Sequence, residues 1–140
     1  MLAHNKSWRA TLPLLASALM ALAACSGNYT VRQPIDRAQY KMVYIEKFDG
    51  DQFQIKSRLE FKFVELGFES VSEKGKADVV LIWRYTHAAF GTNATVRLVD
   101  RSGKTVYLGE GDNPGFGTLL NKTGATWGCF ERALAGLEKI

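Results

Sequence analysis

The sequence predicts an α+β domain in which two helices cover one face of a mostly antiparallel sheet, in the order strand, helix, four strands, helix. Two observations predict this class. Apolar residues recur at helical spacing in two separate segments, over residues 52–66 and again from Thr123 onward. Short runs rich in β-branched and aromatic residues lie before and between these segments, and turn residues bound them.

The first strand and the first helix are predicted as a unit. Residues 41–48 are rich in β-branched and aromatic side chains, and Asp49-Gly50-Asp51 supplies a turn and a helix N-cap. Gly67 is the predicted C-cap, with Phe68 positioned to fold back on the last turn. The predicted helix, residues 52–66, has four apolar side chains on one stripe: Ile55, Leu59, Phe63 and Leu66.

Four strands are predicted between the two helices. The first is short, at residues 68–72. Residues 78–87 are the most apolar segment after the leader, and both faces are apolar at its start, which predicts a central strand covered on each side. Residues 95–100 and 105–110 flank the turn sequence Arg101-Ser102-Gly103-Lys104, which predicts a hairpin.

Glycine dominates the stretch before the second helix. Residues 109–117 contain four glycines and a proline, so they are predicted to form a loop. The helical pattern that follows has Trp127, Phe130, Leu134 and Leu137 on one stripe. Gly128 and Gly136 weaken this helix relative to alanine, and we interpret them as sites of close packing against the sheet.

The N-terminal segment has the features of an export signal. Lys6 and Arg9 precede an apolar run at residues 12–24, which is shorter than the roughly 20 residues of a membrane span. The run ends in Leu22-Ala23-Ala24-Cys25, where small residues precede a thiol. These four residues resemble the lipobox of bacterial lipoproteins that are cut by the type II signal peptidase.

That resemblance implies cleavage between Ala24 and Cys25, a diacylglyceryl group on the Cys25 sulfur and, in most Gram-negative bacteria, a further acyl chain on its new amino group. Several acyl chains give stable anchoring. Ser26 stands where an Asp would retain the protein at the inner membrane, which favours the periplasmic face of the outer membrane. The alternative is an ordinary secretory signal cut near Ala24, with Cys25 an incidental thiol. No cofactor is expected other than the acyl chains.

The predicted organisation has three parts. Residues 1–24 are a signal peptide that is removed, residues 25–40 are a lipidated tether, and residues 41–140 are a single periplasmic α+β domain. The tether contains Pro34, and its apolar residues recur at neither helical nor strand spacing. Fully extended, it spans roughly 50 Å, so the domain is expected to stay close to its membrane.

Charge and cysteine content exclude two classes of function. The net charge of +4 includes Lys6 and Arg9, so the mature chain is only mildly basic and a nucleic-acid partner is not expected. Cys129 lies in an apolar helical pattern, which is typical of a buried thiol. A nucleophilic thiol needs an activating base, and the single mature histidine, His87, is distant in the sequence.

No pattern predicts a catalytic residue or a metal site. Gly103-Lys104-Thr105 lacks the remainder of a phosphate-binding loop, and no two possible ligands have a spacing such as H-x-x-x-H. Asp78 and Asp100 lie at strand ends and are interpreted as cap or turn residues. Three residues at the exit of the central strand are a candidate partner surface, with packing at the edge of the core as the alternative: Tyr85, His87 and Phe90.

The domain also resembles small Gram-negative envelope lipoproteins of unknown function. The segments that carry this resemblance are Gly67-Phe68, Ala77-Asp78-Val79-Val80-Leu81, Val99-Asp100 before a turn, and Ala133-Leu134 in the closing helix. The resemblance implies the strand-helix-meander-helix plan and an envelope location. It transfers no catalytic residue.

These observations predict a lipid-anchored, non-enzymatic module that binds an envelope protein or the cell wall. One alternative is an immunity or inhibitor lipoprotein that neutralises a toxin or hydrolase in the periplasm. An enzyme is the third hypothesis, and it requires a polar pocket near His87 or near residues 109–117. The sequence indicates no particular oligomeric state.

Overall fold

The computed structural model describes residues 29–31, 35–88, 91–115 and 120–138, and its α+β fold confirms the predicted class. The predicted signal peptide, residues 1–24, lies outside the described residues. The described strands are β1 (Tyr29–Val31), β2 (Met42–Ile45), β3 (Glu69–Ser70), β4 (Val79–Ala88), β5 (Gly91–Asp100) and β6 (Thr105–Pro114). The described helices are α1 (Ile55–Glu65) and α2 (Lys122–Glu138), with a short 3₁₀ turn at Lys74–Lys76.

The six strands form one sheet in the order β1-β6-β5-β4-β2-β3. Strands β4, β5 and β6 form an antiparallel meander, and β1 pairs antiparallel with β6. Strand β2 pairs parallel with both β3 and β4. The parallel pairs follow from the connections, because α1 carries the chain from one end of the sheet back to the other between β2 and β3.

Both helices pack on the same face of the sheet. Along β4 the inward side chains Val79, Leu81 and Trp83 are buried, and they belong to one core with the buried residues of α1 and α2. The expectation that this strand is covered on each side is wrong. Val80 and Ile82 are only half-buried, and no described element packs over them. Their shielding comes from neighbouring strands, where Val80 lies opposite Tyr44 and Val99.

Helix α1 begins at Ile55, three residues later than the predicted start at residue 52, and its C-terminal end has the predicted cap. The Asp51 carboxylate accepts hydrogen bonds from the backbone N–H groups of Ile55 (2.8 Å) and Lys56 (3.0 Å). At the other end Gly67 has φ +85°, and the Phe68 N–H donates to the Phe63 carbonyl (2.9 Å). The rings of Phe68 and Phe63 lie 5.1 Å apart. This is a Schellman ending with its hydrophobic contact, so the predicted cap is confirmed.

Part of the predicted tether, residues 25–40, is folded onto the domain. Tyr29–Val31 pairs with β6, with Tyr29 opposite Gly111. Ile35 is 3% exposed and belongs to the core. The Arg37 guanidinium donates to the Leu66 carbonyl at the end of α1, and it lies 4.0 Å from the Phe68 ring centre. The folded body therefore begins before residue 41.

Residues 109–114 belong to strand β6, so the predicted glycine loop is wrong over this range. Gly109 and Gly111 face α2, where a Cβ atom would overlap the carbonyl oxygens of Ala133 and Cys129. These glycines let the backbone of the helix approach the backbone of the strand. Gly128, which the sequence predicts to pack closely, has no atom within 4 Å of the position that its Cβ would take.

The hairpin predicted at residues 101–104 is confirmed. Strands β5 and β6 flank it, and Gly103 has φ +84°, a conformation that favours glycine. The Asp100 carboxylate accepts hydrogen bonds from the backbone N–H groups of Ser102 (2.9 Å) and Lys104 (3.0 Å). Asp100 is therefore a turn residue, as the sequence indicates.

Candidate binding surfaces

Tyr85 joins strand β4 to the loop that precedes α1. Its hydroxyl accepts a hydrogen bond from the Gln52 N–H (2.8 Å) and donates one to the Gly50 carbonyl (2.9 Å). Its ring contacts Phe48 edge-to-face at 5.5 Å. Burial raises the pKa of the Tyr85 hydroxyl, which therefore stays protonated as this pattern requires. These contacts account for Tyr85 as a packing residue, and its role in a partner surface stays a prediction.

His87 also points toward the covered face. Its Nδ1 lies 2.9 Å from the Thr92 hydroxyl, and its ring lies 6.0 Å from Phe53. The remaining member of the predicted partner surface, Phe90, lies outside the described residues. The predicted cleavage, lipidation and sorting residues also lie outside them: Ala24, Cys25 and Ser26.

The structure brings Cys129 and His87 to a common neighbour that the sequence does not reveal. The Cys129 thiol donates to the Thr92 carbonyl (3.3 Å), while His87 contacts the Thr92 side chain. Cys129 is fully buried, and burial raises its pKa to about 11. A buried thiol that is protonated at neutral pH is a poor nucleophile, which agrees with the interpretation of Cys129 as a core residue.

A polar cavity of about 300 Å³ lies beside the β5–β6 turn. The Asp78 carboxylate accepts hydrogen bonds from the backbone N–H groups of Met42 (2.9 Å) and Lys41 (3.0 Å), which lower its pKa. A hydrogen bond from Ser102 likewise lowers the pKa of Asp100. Both carboxylates hold backbone in place, which confirms their interpretation as cap and turn residues. Six residues line this cavity: Gln39, Tyr40, Asp78, Asp100, Arg101 and Ser102.

The side of the sheet away from the helices, here called the open face, has an apolar part and a polar part. Strand pairing aligns Tyr44, Val80 and Val99 across three strands, and Ile82, Arg97 and Leu108 in the next row. The following row, Arg84, Thr95 and Glu110, is polar. The apolar side chains of this face are half-buried without any described element above them. A face of this kind fits a protein partner.

A second apolar surface lies on the outside of the helical layer. This helix surface consists of Phe61 and Val64 on α1, which are 75% and 58% exposed, together with the half-buried Trp127 on α2. The Arg58 guanidinium lies 5.8 Å from the Trp127 ring centre. A groove of about 340 Å³ separates the two helices here, and its rim carries Lys62, Glu65 and Glu131. Exposed aromatic side chains with a charged rim are typical of protein-binding surfaces.

Two findings concern membranes and metals. Within the described ranges, no helix combines the length and the apolar character that crossing a bilayer would require. No set of three or more His, Cys, Asp or Glu residues is placed to hold a metal ion in the part of the chain that the structure describes.

Comparison with known proteins identifies the fold. Two solved structures of PelC from Paraburkholderia phytofirmans, both dodecamers, match this chain. The fold is similar to that of PelC. One structure, a single-residue variant, is 18% identical, covers 80% of this chain and 98% of its own, and has a TM-score of 0.54. The other is 14% identical, covers 80% and 97%, and has a TM-score of 0.56.

At these identities the similarity to PelC establishes the fold alone. A PDZ domain protein from Parabacteroides distasonis is 10% identical over 83% of this chain and 38% of its own, with a TM-score of 0.48. Neither a protein-family model nor a curated protein matches the sequence.

Proposed function

We propose that this protein is a lipid-anchored periplasmic protein of the outer membrane that acts as a non-enzymatic binding module, and that its first partner is another copy of itself. The lipobox-like segment ending at Cys25 supports the anchor. The presence of two separate apolar surfaces on opposite sides of the domain supports self-assembly, and this is the observation that carries the proposal.

The two surfaces differ in shape and composition. The open face is a sheet surface with Val80, Ile82 and Leu108, whereas the helix surface has Phe61 and Trp127 beside a groove. Because the helices cover the inner side of the sheet, the helix surface lies across the molecule from the open face. A contact between unlike surfaces is heterologous, and its repetition produces a ring where the rotation between copies closes and an open filament where it does not. The dodecameric state of the PelC structures with this fold supports such an assembly.

Charge-introducing variants test this arrangement. We expect Ile82→Glu, on the open face, and Phe61→Glu, on the helix surface, each to convert the assembly to monomers. Both are expected to fold, because Phe61 is largely exposed and the carboxylate introduced by Ile82→Glu would face Arg97 on the neighbouring strand. Ser72→Glu is the matched control, since Ser72 is exposed and lies outside both surfaces. Molar mass by light scattering, on lipidated protein in detergent, gives the result.

Mixing the two variants tests the heterologous contact directly. Each variant keeps one intact surface, so an equimolar mixture should form dimers and no larger species. If Phe61→Glu leaves the assembly intact while Ile82→Glu dissolves it, the contact joins like surfaces and the proposed arrangement is wrong. A wild-type chain that is monomeric at all concentrations would refute self-assembly altogether.

The anchor requires a separate experiment. We expect the wild-type chain to incorporate labelled palmitate and to fractionate with outer membranes, and Cys25→Ser to do neither. Crosslinking of the lipidated protein in envelopes should recover further copies of this chain, together with an envelope protein or cell-wall fragments. Recovery of a secreted toxin in place of these would favour an immunity protein.

A further inference from the structure

We infer that one end of the domain, the end that carries Leu120, faces and contacts the bilayer that holds the acyl chains of Cys25. The inference rests on the proposed lipidation of Cys25. It adds an orientation to the anchored domain and assigns a lipid-contacting residue. It is based on the position of Tyr29, where β1 begins.

The distance between the anchor and the fold is short. Three residues separate Cys25 from Tyr29, the first residue of β1. Four Cα-to-Cα steps span at most about 15 Å. The start of β1 therefore stays within about 15 Å of the acylated cysteine, whichever path the chain takes between them.

Strand β1 starts toward one particular end of the sheet. Tyr29 lies opposite Gly111 and Val31 opposite Gly109, so β1 begins on the side of Asp112 and runs toward the β5–β6 turn. That side carries the last residues of β6, where Asn113 pairs with Thr92 near the start of β5. The strand that follows the proposed anchor thus begins at the end of the sheet where β4 ends and β5 begins.

Helix α2 begins at the same end. It runs antiparallel to β6, because Gly109 approaches Ala133 whereas Gly111 approaches Cys129, one turn earlier in the helix. The Asn121 side chain accepts a hydrogen bond from the Gly124 N–H (2.8 Å) at the start of the helix. Leu120 immediately precedes this cap, so it lies beyond Gly111 on the anchored side.

Leu120 is 94% exposed, more than any other large apolar side chain that the structure describes. Lys122 is also exposed and follows two residues later. A projecting apolar side chain beside a cation is suited to the boundary between acyl chains and anionic headgroups. A neighbouring bilayer gives Leu120 an apolar environment.

The opposite end of the domain has a different surface. The β5–β6 turn, residues 101–104, consists of Arg101, Ser102, Gly103 and Lys104, all exposed. Strand β6 separates this turn from Pro114, and a strand of ten residues spans about 33 Å. A probe at Ser102 therefore reports the end that should face away from the bilayer.

Quenching by lipids measures which end contacts the membrane. Leu120→Cys and Ser102→Cys would each carry the same environment-sensitive fluorophore, in lipidated protein on phosphatidylethanolamine–phosphatidylglycerol vesicles with a nitroxide on the acyl chains. Thr95→Cys supplies a third probe, on the open face. Cys129 does not compete for the label, since it is fully buried and its thiol is held protonated.

We expect quenching at position 120 to exceed quenching at positions 102 and 95 several-fold. Equal or stronger quenching at 102 would overturn the orientation, and strong quenching at 95 would show instead that the sheet lies flat on the bilayer. Flotation of the same samples separates this inference from the anchor. A chain that fails to float with vesicles refutes lipid anchoring, and the orientation with it, whereas a floating chain quenched at 102 refutes the orientation alone.

Discussion

The two helices cover the same face of the sheet by different physical means. Helix α1 fills the space above β2 with large side chains, and Ile55, Leu59 and Phe63 are each fully buried. Helix α2 also buries Phe130 and Leu134, but opposite β6 its backbone lies directly on the strand.

Polar contacts accompany the close approach of α2. The Tyr107 hydroxyl donates to the Ala133 carbonyl (2.6 Å), and the Arg132 guanidinium donates to the Asp112 carbonyl (2.7 Å). Side-chain packing fails when volume is removed, whereas backbone packing fails when volume is added. Removal of side-chain volume should therefore destabilise the contact of α1 with β2, whereas addition of volume should destabilise the contact of α2 with β6.

The largest expected effect is loss of volume under α1. Phe63→Ala should lower the free energy of unfolding by about 3–5 kcal/mol, because it leaves a cavity among buried residues. Ser57→Ala, on the exposed side of the same helix, should stay within about 0.5 kcal/mol of wild type. Urea unfolding of the mature chain measures both. Equal costs would mean that α1 is not held by its buried stripe.

Addition of a single methyl group should be almost as harmful under α2. Gly109→Ala places a Cβ atom where the Ala133 carbonyl lies, and we expect a loss of about 3 kcal/mol, at the upper end of overpacking costs. Calorimetry of the variant checks the value. A loss below about 1 kcal/mol would show that α2 shifts easily away from β6, and the contrast between the helices would disappear.

The stability that Asp78 gives to β2, the strand beneath α1, should depend on pH. Asp78 holds β2 against β4 through the Met42 and Lys41 N–H groups, and these hydrogen bonds lower its pKa in the folded state. Its contribution is therefore present above the unfolded value of about 3.9 and is lost as the pH falls through the folded pKa.

Asp78→Ala should accordingly cost about 2 kcal/mol at pH 7 and less at about pH 2. Urea unfolding at the two pH values gives the difference. Asp49→Ala is the control, because Asp49 is 91% exposed and forms an ion pair with the exposed Lys47. A cost for Asp78→Ala that does not change with pH would mean that the carboxylate charge plays no part.

The smallest predicted effect has the opposite sign. In Gly128→Ala, within α2, the added Cβ atom would have no atom of another element within 4 Å. The substitution also replaces glycine with alanine, which is the better helix former. We expect stabilisation by about 0.5–1 kcal/mol. The same substitution thus destabilises at Gly109 and stabilises at Gly128. Thermal unfolding of the two variants side by side gives the comparison, and destabilisation at Gly128 would place an unseen contact on the outer side of α2.

The elements that the sequence predicts well are those with local causes. The stripe of α1, the left-handed Gly67 with Phe68 behind it, and the turn at residues 101–104 all depend on residues close in sequence. The elements that it misses depend on distant partners. Gly109 and Gly111 are typical of a loop until α2 is placed above them, and Tyr29–Val31 is too short to predict a strand without β6 beside it.

The candidate surfaces follow the same division. The proposed lipidation site is a contiguous motif, so that proposal needs only residues 22–25. The open face combines residues from four strands, and its composition depends on their register. For Tyr85 the sequence leaves a partner surface and packing at the edge of the core as alternatives, because it does not show that the Tyr85 hydroxyl meets Gln52 and Gly50.

The position of β1 at one edge of the sheet has a consequence for the order in which the molecule is made. Among the described strands, Tyr29–Val31 is synthesised before the others, yet its pairing partner, Gly109–Gly111, lies in β6, the last described strand. Helix α1 covers β2, and β2 pairs with β4. Because β4 follows α1 in the sequence, α1 is likewise synthesised before the strand that completes its support. The meander of β4, β5 and β6 joins neighbouring segments and can form rapidly, whereas the earlier segments must wait for it. The sheet therefore remains incomplete until β6 has been synthesised.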